Sequence, residues 1–423
     1  MNIAIIGGGP AGLRAAEVAA SGGAAVTLFE AKASVGRKFL VAGRGGLNLT
    51  KSEEPARFSR QYSGPNQPVD LWAQLIADFD AEALRTWAHG LGVETFVAST
   101  GRVYPKALKA APLLRRWVER LRGLGVKFAM HHRLIGLRPG KPLHMEFAAG
   151  TTASGTTQEF AADAVILALG GGSWPQTGSD GQWVSTLEAL GVDVSPLEPA
   201  NCGWELSWPA SVLAGAEGQP LKSIAVTAGT DRVAGELLIT SYGLEGGALY
   251  QLAPVLRAMA EPGISIDFKP TFSVEQLIAK MGTARRDFLA EARQRWRLSE
   301  AACAILENTQ GPFASTAALA ASTKDCRLRL SGPRPLAEAI SSAGGVAWAR
   351  LAPTLMLKAL PGVFLAGEMI DWEAPTGGYL IQGCFATGTR AAQSALEFGQ
   401  FLLASRRASQ LVNLEGSRPV AGA

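Results

Sequence analysis

The chain has 423 residues, of which 47% are hydrophobic and 18% are charged, and its formal net charge is +4. This composition excludes a disordered chain, and the length predicts two or three domains. The small net charge gives no reason to expect nucleic acid as a partner. Because the four cysteines (Cys202, Cys303, Cys326 and Cys384) include no C-x-x-C pair, we expect reduced thiols, with neither a disulfide framework nor a metal site.

The start of the chain predicts a strand, a glycine-rich turn, a helix and a second strand. Apolar residues 3–6 precede Gly-Gly-Gly-Pro-Ala-Gly at 7–12, and a second apolar run at 25–29 ends at Glu30. A G-x-G-x-x-G turn in this setting, followed by an acidic residue, is typical of a dinucleotide-binding βαβ unit. The pyrophosphate is expected at the amino end of the helix. A turn that binds nothing is the alternative, and the full set of features disfavours it.

The residue types agree with that geometry. Gly7 permits a tight turn, Gly9 lets the backbone approach a pyrophosphate, and Gly12 lets the helix pack close to the strand. Glu30 is expected to accept hydrogen bonds from both hydroxyls of the adenosine ribose. Since a 2′-phosphate would meet a like charge there, the sequence disfavours NADP and leaves FAD or NAD.

Three further glycine-rich segments are candidate binding regions. Residues 36–50 combine glycines with arginines and predict a loop around an anion, with a plain surface loop as the alternative. A predicted strand at 162–169 runs into glycines 170–172, where ligand approach and simple packing explain the glycines equally well. Residues 377–378 precede a helix predicted at 382–403, whose positive end would favour an anionic reduced flavin ring. An ordinary glycine-opened helix is the alternative.

Periodicity predicts the remaining organisation. Residues 69–91 have a helical pattern, and residues 127–137 are expected to form one strand. Short alternating strands predict a β-rich insertion, and Ser273 with Gln276 forms a capping-box start to the helices that follow. With no signal peptide and no apolar run long enough to span a membrane, we expect a soluble cytoplasmic protein. The predicted domains are a discontinuous nucleotide-binding domain at 1–198 and 340–403, a barrel-like β-rich domain at 199–270, a helical domain at 271–339 and a tail at 404–423.

Four segments together resemble one bacterial flavoprotein family, the NAD(P)/FAD-dependent oxidoreductases of the BaiN/YhiN and aminoacetone-oxidase-like type. The segments are residues 7–12 with Glu30, residues 36–50, residues 163–181 and residues 367–386. The resemblance implies FAD as the cofactor and redox activity. It also implies an α/β fold in which a glutathione-reductase-like Rossmann FAD-binding domain is interrupted by a β-barrel and a helical domain.

The resemblance implies binding roles for individual residues as well. The first turn would hold the pyrophosphate, Glu30 the ribose, Leu134 the adenine, and residues 379–381 the flavin edge. The predicted cofactor-binding set is Gly7, Gly9, Pro10, Ala11, Gly12, Glu30, Ala31, Arg37, Lys38, Gly43, Arg44, Gly45, Asn48, Leu134, Gly170, Gly171, Gly367, Glu368, Tyr379, Leu380 and Ile381. Candidates for lining the flavin pocket are Asn48, Arg102, Tyr104 and Lys106. No residue is assigned as a catalytic acid or base.

Two segments depart from the family pattern. Residues 43–48 read Gly-Arg-Gly-Gly-Leu-Asn where many members have G-G-G-R-C-N. Residues 377–382 read Gly-Gly-Tyr-Leu-Ile-Gln where many have G-G-Y-N-L-Q. These differences predict a subgroup with a different pocket, so the substrates of other members are not carried over.

We therefore expect an FAD-dependent oxidoreductase that transfers a hydride between the flavin and a small organic substrate or a nicotinamide. The sequence has no second G-x-G-x-x-G, which favours transient docking of NADH or NADPH, or an oxidase that uses oxygen. The alternatives are an amine or amino-acid oxidase and, from another class, a non-catalytic flavin-binding sensor or interaction module. The charge balance disfavours a flavin-dependent enzyme that modifies RNA.

Overall fold

The chain forms two compact units. The structure is a computed structural model that describes residues 1–43, 45–150, 156–283 and 287–416. The larger unit combines Met1–Leu197 with Ala343–Ala423, and Glu198–Ser342 form the other unit. The smaller unit is therefore an insertion in the sequence of the larger one.

The first five elements, β1 to β3, alternate between strand and helix. The described helices are α1 Pro10–Ser21, α2 Arg37–Ala42, α3 Pro55–Ser59, α4 Leu71–Asp78, α5 Ala81–Gly90, α6 Ala110–Gly123, α7 Trp183–Glu188, α8 Ala210–Ala216, α9 Gly247–Arg257, α10 Val274–Met281, α11 Phe288–Arg295, α12 Glu300–Thr309, α13 Thr316–Lys324 and α14 Tyr379–Gly416. The described strands are β1 Asn2–Ile6, β2 Ala25–Glu30, β3 Thr50–Lys51, β4 Thr95–Val97, β5 Arg102–Pro105, β6 Lys127–Met130, β7 His132–Arg138, β8 Leu143–Ala149, β9 Thr156–Ala162, β10 Ala164–Leu167, β11 Val194–Ala200, β12 Trp204–Glu205, β13 Pro220–Ala228, β14 Asp231–Thr240, β15 Gly243–Glu245, β16 Gly263–Asp267, β17 Cys326–Arg329, β18 Gly332–Pro333, β19 Ser341–Val346 and β20 Val363–Leu365.

A five-stranded parallel sheet in the order β20-β10-β1-β2-β6 is the centre of the larger unit. In β1, Ile3 pairs with Val26 of β2 on one side and with Ala164 of β10 on the other. Short apolar strands buried on both faces are what a parallel sheet covered by helices requires. The α/β class and the Rossmann-like arrangement predicted from the sequence are confirmed.

Two helices from opposite ends of the sequence pack closely on each other. A Cβ added at Gly388 of α14 would lie 2.5 Å from the carbonyl oxygen of Ala11 in α1. Nearby, Arg14 Nε donates to Thr389 Oγ1 at 2.9 Å. The last helix therefore supports the helix that follows the glycine turn.

The helical pattern predicted at 69–91 is confirmed, and it is divided between two helices, α4 and α5. The break falls at Phe79 and Asp80, and the Asp80 carboxylate accepts a hydrogen bond from Ala83 N at 2.7 Å as the N-cap of α5. This local bond offers the backbone an alternative to a continuous helix.

The single strand predicted at 127–137 is wrong. Strand β6 belongs to the parallel sheet, whereas β7 begins a separate antiparallel sheet in the order β7-β8-β9. His131 lies between them with φ 59°, a left-handed conformation that redirects the chain. The final helix begins at Tyr379, three residues before the predicted start at 382, and continues to Gly416.

The smaller unit contains a seven-stranded antiparallel sheet in the order β17-β16-β13-β14-β15-β12-β18. Its core includes Trp204 and Ile266 from the sheet and Leu277 and Ile305 from the helices, so both parts share one hydrophobic core. The capping box at Ser273 is confirmed. Within the described ranges, no helix is both long and apolar enough to cross a membrane.

Candidate functional site

The turn between β1 and α1 requires glycine at its first and last positions. Gly7 has φ +108°, and a Cβ there would lie 2.2 Å from the carbonyl oxygen of Ala168. A Cβ on Gly12 would lie 1.9 Å from the carbonyl oxygen of Gly7. Because both contacts are with backbone atoms, no side chain can swing away to make room. The packing of the protein itself therefore excludes other residues at positions 7 and 12.

Gly9 is different, because the protein's own packing does not require glycine there. Its φ is −78°, and an added Cβ would meet no atom of the described chain within 4 Å. Gly9 is the N-cap of α1, and no described side chain caps that helix end. A helix end with uncapped N–H groups and a positive dipole fits a phosphate group. The glycine leaves open the space that a bound phosphate would need.

A cavity of about 290 Å³ opens beside this turn. Its walls come from the carboxyl ends of four parallel strands, at Ile6, residues 29–31, residues 168–170 and residues 366–368. In open α/β sheets, ligands bind in the crevice outside these strand ends.

The cavity brings together more than half of the residues predicted to bind the cofactor. Those that line it are Gly7, Gly9, Pro10, Ala11, Glu30, Ala31, Arg37, Lys38, Leu134, Gly170, Gly367 and Glu368. The predicted residues that do not line it are Gly12, Gly43, Gly45, Asn48, Gly171, Tyr379, Leu380 and Ile381. Arg44 lies outside the described residues. The assignment of each residue to a part of FAD stays a prediction.

Glu30 ends β2 at the wall of the cavity. Its Oε2 accepts a hydrogen bond from Gly8 N, and its Oε1 accepts one from Lys32 N, each at 2.8 Å. The two bonds fix the carboxylate, and each oxygen keeps a further acceptor position. Burial raises the pKa of Glu30 above its ordinary value, while the backbone hydrogen bonds from Lys32 and Gly8 oppose that rise. Glu30 could therefore accept ribose hydroxyls, as predicted.

Lys38 joins two distant segments across the cavity wall. Its Nζ donates to Ser173 Oγ at 2.6 Å and to Glu368 Oε2 at 2.9 Å. Lys38 lies in α2 and Glu368 in the turn after the last parallel strand, so the ion pair connects α2 to the segment after β20. The Lys38 ammonium group could contact the phosphates of a bound FAD, and the Glu368 carboxylate could contact the hydroxyls of its ribityl chain.

Residues on the far side of the cavity were not predicted as site residues. Arg133 Nη1 pairs with Asp180 at 2.9 Å and donates to Gln182 Oε1 at 3.0 Å. Ser179 also lines the cavity. Residues 175–181 carried a signal, because they belong to a segment of the family resemblance, whereas no sequence pattern pointed to Arg133.

A second candidate region lies at the start of α14. A Cβ on Gly378 (φ +101°) would lie 2.5 Å from the carbonyl carbon of Thr50. The glycine turn therefore packs directly on β3, and this brings Tyr379 next to the segment that carries Asn48 and Lys51. Leu380 and Ile381 follow in the first turn of the helix.

Several buried polar atoms near these regions lack a partner. Within the described ranges, Asn48 Oδ1, Thr50 Oγ1 and Ser179 Oγ form no hydrogen bond. A buried polar group without a partner is costly, and a ligand is one explanation for such a group. Together with the open space at Gly9, these atoms show that the residues present fit a dinucleotide such as FAD.

The cavity contains one thiol, that of Cys384. Burial raises the pKa of Cys384 to about 12, so the thiol is protonated at neutral pH and is a poor nucleophile. All four cysteines are free. In the part of the chain that the structure describes, no group of three or more His, Cys, Asp or Glu side chains could hold a metal ion.

The Rossmann sheet and its glycine turn define a dinucleotide-binding fold, and the family that the chain matches makes its class that of the FAD-dependent oxidoreductases. The HI0933-like protein Rossmann domain family matches residues 1–394, and the chain belongs to this family. The resemblance found in the sequence is thereby confirmed, and so is FAD as the cofactor.

Two curated relatives match almost the whole chain. The 3-dehydro-bile acid delta(4,6)-reductase of Clostridium scindens is 28% identical and covers 94% of this chain and 99% of its own. The ribosomal RNA dihydrouridine synthase of Escherichia coli is 24% identical and covers 93% of this chain and 97% of its own.

A solved structure shares the fold. The 3-ketosteroid-delta4-(5alpha)-dehydrogenase of Rhodococcus jostii, in complex with 4-androstene-3,17-dione, is 15% identical with a TM-score of 0.51. The likeness covers 93% of this chain and 96% of that chain.

Proposed function

We propose that this protein is a reductase in which a hydride from NADH or NADPH reaches, through FAD, a carbon–carbon double bond conjugated to a carbonyl group. The observation that carries the proposal is the glycine turn with open space at Gly9, because it provides the place for the cofactor. Bound FAD supplies hydride transfer, and the chain binds and orients the reactants.

The kind of bond that is reduced, and no particular substrate, is inferred from the relatives' names. One is a delta(4,6)-reductase of a 3-dehydro-bile acid, and the other forms dihydrouridine, in which the ring double bond of uridine is reduced. In both substrates the reduced bond is conjugated to a carbonyl group. The relatives thus support a reductase over an amine oxidase or a non-catalytic flavin sensor, which were the alternatives from the sequence.

We assign the cofactor contacts as follows. The open backbone at Gly9 and the first turn of α1 bind the pyrophosphate, and Glu30 accepts the ribose hydroxyls. Leu134 meets the adenine through its backbone, and Lys38 with Glu368 binds the central part of the cofactor. Gly43, Gly45 and Asn48, with residues 379–381, border the flavin ring, and the positive end of α14 stabilises negative charge on it.

Anaerobic reduction and reoxidation test the proposal. The purified holoenzyme is mixed with NADH or NADPH, and bleaching of the flavin absorption band is followed. A conjugated enone, 4-androstene-3,17-dione or a 3-oxo bile acid with the corresponding double bonds, is then added, and uridine-containing RNA serves as a second arm. We expect bleaching by a nicotinamide and return of the band with an enone. Rapid return with oxygen alone, and with no enone or RNA, would favour the oxidase.

Replacing Glu30 with glutamine should weaken FAD binding about 10- to 100-fold, the value of a hydrogen bond to a charged group. The pH dependence of FAD affinity at acidic pH also distinguishes the variant from wild type. Because burial raises the pKa of Glu30, the wild-type carboxylate is protonated, and FAD affinity falls, at a higher pH than for an ordinary glutamate. The variant should lack this decline. Fluorescence titration of FAD at several pH values measures both effects, and equal affinities and equal pH profiles would contradict the ribose contact.

A further inference from the structure

A phenol, an ammonium group and a carboxylate meet at the start of α14. Tyr379 Oη donates a hydrogen bond to Glu53 Oε1 at 2.6 Å and accepts one from Lys51 Nζ at 2.9 Å. Lys51 and Glu53 also form an ion pair of 3.1 Å, so the three side chains form a closed hydrogen-bonded cluster. Tyr379 is 328 residues from Lys51 and 326 from Glu53, and their meeting depends on the contact between the glycine turn and β3.

The cluster extends from the buried Tyr379 side chain to the partly exposed Lys51 side chain. Tyr379 is 4% exposed, whereas the Lys51 side chain is 26% exposed. The Glu53 side chain is 9% exposed and has the exposed Arg57 guanidinium 3.8 Å away. A proton lost from the phenol could therefore be replaced through Lys51, which water can reach.

A ligand is indicated on the same segment. Asn48 Oδ1 and Thr50 Oγ1, both buried, have no hydrogen-bond partner among the described residues, and they precede Lys51 by only a few positions. Thr50 also lies directly against Gly378. The cluster of Tyr379, Lys51 and Glu53 is thus next to two buried polar atoms that lack partners among the described residues.

We propose that Tyr379 donates the proton that the reduced double bond needs, and that Lys51 and Glu53 position its hydroxyl. The inference rests on the proposed function, in which hydride is delivered to one carbon of a conjugated double bond. Adding a hydride to one carbon leaves an electron pair at the other, and that pair must take a proton. In the cofactor assignment proposed above, Tyr379 borders the flavin ring, and its hydroxyl carries a proton that it can supply.

The step balances in atoms and charge. As the hydride bonds to one carbon, the π electron pair forms a C–H bond at the other carbon with the proton of Tyr379, and the Tyr379 O–H bond breaks. The phenolate that remains takes a proton from the Lys51 ammonium group, which already donates a hydrogen bond to the Tyr379 oxygen. Lys51 recovers a proton from water, and Glu53 keeps its charge throughout.

The charges around the phenol keep it protonated until it reacts. Burial raises the pKa of Tyr379, and the hydrogen bond and charge of Glu53 raise it further. The Arg57 and Arg102 guanidinium groups act in the opposite direction. At neutral pH the tyrosine therefore carries its proton, as an acid must.

The alternative is that Tyr379 has only a structural role. The contacts of its aromatic ring and backbone allow the two roles to be tested separately. The ring packs 4.8 Å from that of Phe58, and Tyr62 Oη donates to the backbone carbonyl of Tyr379 at 2.7 Å. Neither contact uses the Tyr379 hydroxyl. Tyr379→Phe consequently keeps the packing and removes the hydroxyl, with its proton and its hydrogen bonds to Glu53 and Lys51.

The test compares wild-type and Tyr379→Phe holoenzymes in separate half-reactions. FAD content and reduction by NADPH should stay within about twofold of wild type. Reoxidation by 4-androstene-3,17-dione should slow by about 100-fold or more, the usual contribution of a general acid. In wild type this step should also slow in deuterium oxide, since an O–H bond breaks in it. Tyr62→Phe, which removes the neighbouring buried hydroxyl, should lower stability and keep the rate of reoxidation.

The roles of Glu53 and Lys51 are tested by the rate of reoxidation and its pH dependence. Glu53→Gln removes a charge that raises the pKa of Tyr379, so the alkaline limb of the reoxidation rate should move to lower pH. Lys51→Met should slow reoxidation, and Lys51→Arg should restore part of it because the cation returns. A purely structural ion pair would change stability without moving the pH profile.

The outcomes distinguish this inference from the proposed function. Wild-type reoxidation rates in Tyr379→Phe, or loss of its FAD, would overturn the assignment of the proton donor alone. If NADPH reduces the wild-type enzyme and neither the enone nor RNA reoxidises it, the proposed function fails, and the proton donor fails with it. A selective loss of the reoxidation step supports both.

Discussion

Gly9→Ala should leave the apoprotein folded and lower its affinity for FAD by about 100-fold or more. A Cβ at this position meets no atom of the described chain and occupies the space next to the uncapped end of α1. Its effect on the free energy of unfolding should stay within about 1 kcal/mol, because alanine also reduces the entropy of the unfolded chain. The methyl group would instead meet the pyrophosphate.

Gly12→Ala should instead act mainly on the stability of the fold. Its Cβ would lie 1.9 Å from the carbonyl oxygen of Gly7, so α1 must move away from the turn. Overpacking against backbone should cost about 3 kcal/mol or more, with FAD binding lost as a consequence of the distortion. Urea unfolding of the two apoproteins, followed by FAD titration, measures the difference.

Gly123→Ala is a matched control for both variants. It is the last residue of α6, and a Cβ there meets no described atom within 4 Å. The change should be neutral or slightly stabilising and should leave FAD affinity unchanged. Wild-type affinity in Gly9→Ala would show that the open space does not hold the phosphates.

The sequence was sufficient to predict the dinucleotide turn because its determinants are local. Two apolar strands, a glycine turn and an acidic residue fall within the first 30 residues, and in the structure Ile3 of the first strand pairs with Val26 of the second. The steric roles of Gly7 and Gly12 could be stated before the structure for the same reason. A local pattern fixes a local geometry.

The rest of the site comes from distant segments, and no local pattern specifies it. Lys38 meets Glu368 across 330 residues, and Lys51 meets Tyr379 across 328 residues. Residues 36–50 and 377–382 belong to segments singled out by resemblance, but nothing in either segment indicates that Thr50 packs against Gly378. Likewise, Arg133 enters the cavity only because the chain turns at His131 into a second sheet.

Glu17 shows how the helix after the turn is held in place. It is 5% exposed, and its Oε2 accepts hydrogen bonds from Trp87 Nε1 at 2.8 Å and from Trp117 Nε1 at 2.9 Å. Its Oε1 pairs with Arg120 Nη1 at 2.9 Å, and Arg14 Nη1 is 3.5 Å from Oε2. One carboxylate thus joins α1 to α5 and α6 and balances two cations.

Glu17→Leu should destabilise the protein by about 3–5 kcal/mol, although leucine has a similar size and the site is buried. The change leaves two indole N–H groups without an acceptor and two guanidinium groups without their counter-charge, and removing one partner of a buried ion pair has this cost. Glu17→Gln, which keeps one carbonyl oxygen, should cost about 2 kcal/mol. Urea denaturation followed by circular dichroism measures both.

Glu119→Gln provides the comparison for these two variants. Glu119 is exposed on α6 next to Arg120, and its loss should change the free energy of unfolding by less than about 0.5 kcal/mol. A large effect at Glu17 with none at Glu119 would show that the buried acceptor matters, rather than the charge of the helix. If Glu17→Leu unfolds at the wild-type urea concentration, the indole and guanidinium groups have found other partners. The carboxylate would then not be what anchors α1.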